Sequence, residues 1–62
     1  MKIVERRILS VLPEMEEHFT ALQVREALVN KYGTNYIGNA ITIGSLLKRH
    51  CKKVKPGVWK YV

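Results

Sequence analysis

With 62 residues the chain has room for one small domain, and its 47% hydrophobic and 26% charged residues exclude a disordered polar chain. Its apolar stretches fall far short of the roughly 20 residues that cross a membrane, no signal peptide is visible, and the lone Cys51 excludes an intrachain disulfide. A net charge of +6 indicates an anionic partner. We therefore expect a soluble, cytoplasmic single domain over residues 1–62, complete as given.

The positive charge is concentrated in the second half of the chain. Residues 1–30 hold all five glutamates beside four basic residues, whereas residues 31–62 hold seven basic residues and no acid. A solvated basic tail would not need the valines and aromatic residues that alternate with lysine near the C-terminus. The second half is therefore expected to form a folded basic surface.

Residues 3–12 form the first predicted helix, because their apolar residues recur at the spacing of one helix face and Pro13 ends the segment. That face holds Val4, Ile8, Val11 and Leu12. The acidic connector that follows, residues 14–18, is expected to be a solvated loop. Its glutamates have neither a pocket nor a basic partner that would make them catalytic.

The second predicted helix has two start signals. Thr20 and Gln23 have the spacing of a capping box, and Phe19 with Val24 has the spacing of a hydrophobic staple. The helix is predicted to end at Gly33, which can take the left-handed cap conformation. Its inner face is expected to hold Val24, Ala27, Leu28 and Tyr32.

After a predicted turn over residues 34–38, Asn39 is expected to cap a third helix that runs to about His50. Its inner side would hold Ala40, Ile43, Leu47, His50 and Cys51, and its outer side Thr42, Ser45, Lys48 and Arg49. Ile41 shares the outer side, either as a lone surface residue or as a contact to a thymine methyl group. Gly44 is expected to permit close packing against the second helix.

The last eleven residues alternate as a strand, a Pro-Gly turn and a second strand. The predicted cross-strand pairs are Lys55 with Val58, Val54 with Trp59, Lys53 with Lys60 and Lys52 with Tyr61. This register gives the hairpin an apolar face and a lysine face. The apolar face holds Val54, Trp59 and Tyr61, and the lysine face holds Lys53, Lys55, Lys60 and Val58. Lysines directly opposite each other repel, so a polyanion that neutralises both would explain the pairing.

Three helices and a basic hairpin, with an extra strand near residues 18–19, resemble a winged helix-turn-helix domain over essentially the whole chain. Helices 2 and 3 resemble the helix-turn-helix, and residues 52–62 resemble the wing. The basic strand, the Pro-Gly turn and the closing aromatic residue are similar to the end of HARE-type winged helices, and small archaeal or viral regulators share this shape. The resemblance implies an α+β fold, a three-helix bundle with a C-terminal β-hairpin wing.

The resemblance also implies double-stranded DNA as the partner and transcription regulation as the role, with helix 3 in the major groove and the wing along the backbone or the minor groove. Arginine can grip guanine with two hydrogen bonds, serine and threonine specify bases weakly, and lysines suit phosphates. The residues expected to bind DNA are Tyr36, Asn39, Thr42, Ser45, Lys48, Arg49, Lys53, Lys55 and Lys60.

Two other functions stay open. The domain could be a protein-interaction module or a subunit of a larger nucleic-acid-processing complex, or it could bind RNA or single strands through Tyr36, Trp59 and Tyr61. Trp59 is expected to be a core residue, and Tyr36 and Tyr61 lie either at the rim of the DNA site or at a dimer contact. A weak homodimer is expected through the outer side of helix 1, which carries Ile3, Arg6, Arg7 and Ser10.

No enzyme, cofactor, metal site, membrane contact or small-molecule substrate is expected. His50 and Cys51 are adjacent on a helix and so point about 100° apart, and His18 is the only other good nitrogen ligand. We expect His50 to be partly buried near carbonyl groups at the end of helix 3, and Cys51 to be a small core residue.

Overall fold

The computed structural model describes residues 2–61 as three helices followed by a two-stranded antiparallel hairpin, which confirms the predicted α+β class and the order of its elements. The elements are α1 (Ile3–Val11), a 3-10 turn (Leu12–Glu14), α2 (Ala21–Tyr32), α3 (Ala40–His50), β1 (Cys51–Lys55) and β2 (Val58–Tyr61). Among the described residues, no helix has both the length and the apolar character that crossing a membrane requires.

Helix α1 ends one residue earlier than predicted. Pro13 lacks an N–H group and its ring clashes with the preceding turn, so the chain tightens into the 3-10 turn at Leu12. Leu12 is still buried beside Ile8 and Val11, and the predicted inner face of α1 is therefore correct for these three residues. Val4, the fourth, packs against the core at its edge.

The start of α2 is as predicted. The Thr20 hydroxyl oxygen accepts from the Gln23 backbone N–H at 3.2 Å, and the Gln23 side-chain oxygen accepts from the Thr20 N–H at 2.9 Å. Phe19 and Val24 are both buried. Gly33 ends the helix with the expected positive φ of 80°, but its ψ of −160° is extended, so the predicted left-handed cap is wrong. That backbone conformation is open almost only to glycine.

Helix α3 is capped by Asn39, whose side-chain oxygen accepts from the Thr42 N–H at 2.9 Å, as predicted. Ile37, in the predicted turn before it, is buried in the core, which the polar surroundings of this residue did not indicate. Apart from the chain neighbours of Gly44 and the backbone of α3 itself, no atom of residues 2–61 lies within 4 Å of the point where a Cβ on Gly44 would stand. The prediction that Gly44 permits close packing against α2 is therefore wrong.

The hairpin has a different register from the predicted one. The pair beside the turn, Lys55 with Val58, is confirmed. A β-bulge at Val54 shifts every pair farther from the turn by one residue. The observed pairs are Lys53 with Trp59, Lys52 with Lys60 and Cys51 with Tyr61. The predicted pairs Val54 with Trp59, Lys53 with Lys60 and Lys52 with Tyr61 are wrong.

The bulge resolves a conflict between the turn and the core. Cys51 packs against the core directly after α3, and Trp59 is buried, so both must lie on the inner face of the hairpin. Side chains alternate along a strand. A regular ladder that begins with the pair Lys55 and Val58 would therefore place Cys51 and Trp59 on opposite faces of the hairpin. One extra residue in β1 restores a shared face, and that residue, Val54, is 46% exposed.

A third segment joins the hairpin near residues 18–19, where an extra strand was predicted, but it forms an isolated bridge and no strand. Phe19 and Trp59 form an antiparallel bridge, in which the Phe19 N–H donates to the Trp59 carbonyl at 3.0 Å and the Trp59 N–H donates to the Phe19 carbonyl at 2.8 Å. The buried residues form one core, which consists of Ile8, Val11, Leu12, Phe19, Val24, Leu28, Ile37, Ile43, Leu47 and Trp59. The expected core role of Trp59 is confirmed.

Candidate nucleic-acid interface

One face of α3 is turned away from the core. Ile43 and Leu47 are fully buried and fix the rotation of the helix about its axis. All the residues predicted for the outer side are exposed, and together with Ile41 they form the outer face of α3, defined as Ile41, Thr42, Ser45, Lys48 and Arg49. Ile41, at 81% exposure, is the most exposed of the large hydrophobic side chains among residues 2–61.

A carboxylate from α1 contacts the end of this face. Glu5 Oε2 lies 2.7 Å from His50 Nε2 and 3.9 Å from Arg49 Nη1. The hydrogen bond from His50, with the positive charge of Arg49 nearby, lowers the pKa of Glu5 below its usual value of 4.5. His50 is partly buried at the end of α3, as predicted, but the sequence did not indicate that its ring partner is a carboxylate. Glu5 was missed because it lies 45 residues away in the sequence.

Two more of the residues predicted to bind DNA precede α3 and are exposed. Asn39 is exposed, and its oxygen already caps the helix through Thr42. Tyr36 is 69% exposed and has a positive φ of 57°, an uncommon conformation for a residue with a side chain. Its ring therefore stands in solvent beside the N-terminal end of α3.

The hairpin presents its own row of lysines. With the observed register, Lys52, Lys55 and Lys60 lie on the side away from Trp59, and we call these three the hairpin lysine face. Lys53, which was predicted to be on this face, lies on the Trp59 side although its side chain is exposed, and Lys52 takes its place. Lys52 was missed because a bulge has no clear sequence signal here.

Four of the nine residues predicted to bind DNA line two grooves. Ser45 and Arg49 line a groove of about 580 Å³ between α3 and α1, with Lys2, Val4, Glu5 and Leu46. Lys53 and Lys60 line a second groove of about 500 Å³, with His18, Lys52 and Val54. Because β1 begins at the residue that follows α3, the two basic surfaces are joined directly along the chain.

Part of the predicted dimer surface is occupied within the chain. Arg7 donates to the Asn35 carbonyl oxygen at 2.8 Å, and its guanidinium lies 4.6 Å from the centre of the Tyr32 ring. The Ser10 hydroxyl donates to the Arg7 carbonyl and lies 2.6 Å from the Tyr32 hydroxyl. Only Ile3 and Arg6, of the four residues named for this surface, are exposed, and the dimer stays a prediction.

The chemistry of Cys51 follows from its position. Burial raises the pKa of its thiol above the usual value, so the sulfur stays protonated at neutral pH. Cys51 packs against the core, as expected from the sequence. Within residues 2–61, no three histidine, cysteine or acidic side chains come together in a group that could hold a metal ion.

Comparisons with protein-family models, with curated proteins and with solved structures find no match to this chain.

Proposed function

We propose that this chain is a winged helix-turn-helix protein that binds double-stranded DNA and regulates transcription. The observation that carries the proposal is the placement of its basic side chains. Lys48 and Arg49 stand on the outer face of α3, and the hairpin lysine face follows directly after the helix. A basic exposed helix beside a basic hairpin suits the major groove of DNA and its neighbouring phosphates.

In this proposal α3 reads bases. Arg49 has the donor geometry to bind guanine O6 and N7 together, while Thr42 and Ser45 contact base edges with less discrimination. The Arg49 guanidinium lies 3.9 Å from the Glu5 carboxylate, too far for a hydrogen bond, and its side chain is 71% exposed. Its donors are therefore available to DNA.

The hairpin, Lys48 and the start of α3 position the protein in this proposal. Lysine side chains are mobile point charges that bind phosphates without reading sequence. In the hairpin, phosphates are bound by Lys52, Lys55 and Lys60. Lys53 adds to this phosphate binding from the Trp59 side of the hairpin. Tyr36 and Asn39 lie near a phosphate at the start of α3.

Titration of a labelled DNA duplex at several salt concentrations tests the proposal. Each lysine or arginine that neutralises a phosphate is expected to steepen the fall of log affinity with log salt by about 0.9. Five such contacts would give a slope near −4.5 on the same estimate. Absence of duplex binding at low salt would refute the proposal.

A protein-interaction module or a subunit of a nucleic-acid-processing complex is the second candidate. Ile41, whose side chain is 81% exposed on an otherwise polar helix face, would supply one apolar contact to such a partner. Capture of an acidic protein, together with indifference to DNA, would support this candidate.

Single-strand binding has less support. Trp59 is 7% exposed and bridged to Phe19, so it is not available for base stacking, which leaves Tyr36 and Tyr61. Competition between duplex and single strands separates this candidate from the proposed one.

Light scattering with and without duplex tests the weak homodimer, because a 7 kDa particle in both conditions would exclude it.

A further inference from the structure

A groove beside the hairpin gathers positive charge around a small space. It has a volume of about 500 Å³, and we call it the hairpin groove; its lining residues are His18, Lys52, Lys53, Val54 and Lys60. Lys52 and Lys60 are direct cross-strand neighbours, an arrangement in which two like charges destabilise the hairpin. An anion between them would remove that repulsion.

The chain already supplies one anion here. The Glu17 carboxylate lies 3.6 Å from the Lys60 ammonium, and the Glu17 side chain is largely exposed. Exposed ion pairs of this kind contribute only about 0–1 kcal/mol, so Glu17 can be displaced at little cost. Glu17 and His18 precede Phe19, whose bridge to Trp59 holds this connector against β2.

We propose that the hairpin groove binds one phosphate of the DNA backbone and that Glu17 is an internal competitor which this phosphate displaces from Lys60. The inference rests on the proposed DNA-binding function. Lys52 and Lys60 supply two ammonium groups to the phosphate, and His18, which also lines the groove, supplies a ring N–H. Removing the Glu17 charge therefore strengthens binding specifically through Lys60.

The neighbouring Glu16 provides a matched control. It lies in the same connector, is exposed and carries the same charge, whereas the ion pair to Lys60 is made by Glu17. The variants Glu17→Gln and Glu16→Gln each raise the net charge by one, so their general electrostatic effects on DNA binding are similar. The difference between them isolates the contact with Lys60.

The test measures the affinity of the full chain for one duplex at several salt concentrations. Glu17→Gln is expected to tighten binding by about 2- to 5-fold more than Glu16→Gln, which corresponds to the upper part of the range for an exposed ion pair. In the Lys60→Gln background this difference is expected to disappear. Circular dichroism of each variant verifies that it is folded.

A second pair of variants examines the phosphate site itself. Lys52→Gln is expected to reduce the salt slope by about 0.9, the value for one lost phosphate contact, and His18→Gln to weaken binding by a smaller factor. Lys31→Gln, which removes a lysine of α2 that pairs with Glu14, should change the slope less than Lys52→Gln does.

The outcomes distinguish a failure of the inference about Glu17 and the phosphate site from a failure of the proposed DNA-binding function. Equal gains from Glu17→Gln and Glu16→Gln, or a gain that persists without Lys60, would overturn the competition while duplex binding stood. An unchanged slope in Lys52→Gln would overturn the phosphate site. A wild-type chain that does not bind duplex at all would overturn the DNA-binding function and this inference with it.

Discussion

The outer face of α3 and the hairpin lysine face are both basic and both point away from the core, but different forces orient them. Helix α3 has a local cap at Asn39 and two fully buried side chains, Ile43 and Leu47, at helical spacing. The hairpin has one buried anchor, Trp59, and a bulge that sets which lysines face outward. The direction of a helix face therefore follows from its own sequence, whereas the direction of a hairpin face depends on contacts with the rest of the fold.

Removing the hairpin anchor should have the largest effect. Trp59→Ala is expected to lower the free energy of unfolding by about 3–5 kcal/mol, because a large buried side chain is lost. That is a major fraction of the stability of a domain of this size, at about 0.05–0.15 kcal/mol per residue. Urea denaturation followed by circular dichroism measures it, since the variant has no tryptophan fluorescence.

Tyr61→Ala is the matched control for Trp59→Ala, because Tyr61 is an exposed aromatic residue on the same strand. Its loss should change stability by less than about 1 kcal/mol. Similar losses from both variants would show that Trp59 does not anchor the hairpin.

The two basic faces should also differ in what they contribute to DNA binding. Arg49→Ala is expected to remove about 1–3 kcal/mol of discrimination at one base position. Lys52→Ala is expected to weaken binding to all sequences alike. Affinities for a panel of single-base variants of one duplex measure both effects. If Arg49→Ala also weakened all sequences equally, α3 would not read bases through this residue.

The cap of α3 should contribute less. Asn39→Ala is expected to lower the free energy of unfolding by about 1 kcal/mol, because the Thr42 N–H loses its acceptor. Asn39→Ser retains a capping oxygen and should lose much less. Thermal unfolding of the two variants compares them, and equal losses would argue against a capping role.

A substitution at Gly44 should change the stability of α3 in the opposite direction from Asn39→Ala. Gly44→Ala is expected to raise the free energy of unfolding by up to about 1 kcal/mol, because alanine is the better helix former and the added methyl group has open space. Gly33→Ala should be destabilising, since φ is 80° there. A loss of stability in Gly44→Ala would reveal packing that the structure does not contain.

The contact between α1 and the end of α3 should appear in the pH dependence of stability. The pKa of Glu5 is lowered by folding, so its stabilising effect is fully present above pH 4.5 and is lost as the pH falls through the lower folded-state value. Glu5→Gln should be less stable than the wild type at neutral pH, and the difference should narrow in acid. Glu16→Gln is the control, and a constant difference for Glu5→Gln would contradict the assignment.

Local sequence determined the helices of this protein. The capping box at Thr20 and the cap at Asn39 use side chains within three residues of the backbone groups they bind, and apolar spacing predicted which sides of the helices are buried. The outer face of α3, which carries most of the candidate base contacts, was for this reason predicted residue by residue.

Tertiary contacts decided the rest. The bulge at Val54 exists because Cys51 and Trp59 must both face the core while the turn pairs Lys55 with Val58, and strand alternation alone cannot satisfy both conditions. Burial of Ile37 and the contact of Glu5 with His50 also join segments that are far apart in the chain. A periodic pattern contains no information about such distant partners. Lys55 and Lys60 were predicted to face outward, but that Lys52 takes the place of Lys53 on this face became known only from the folded structure.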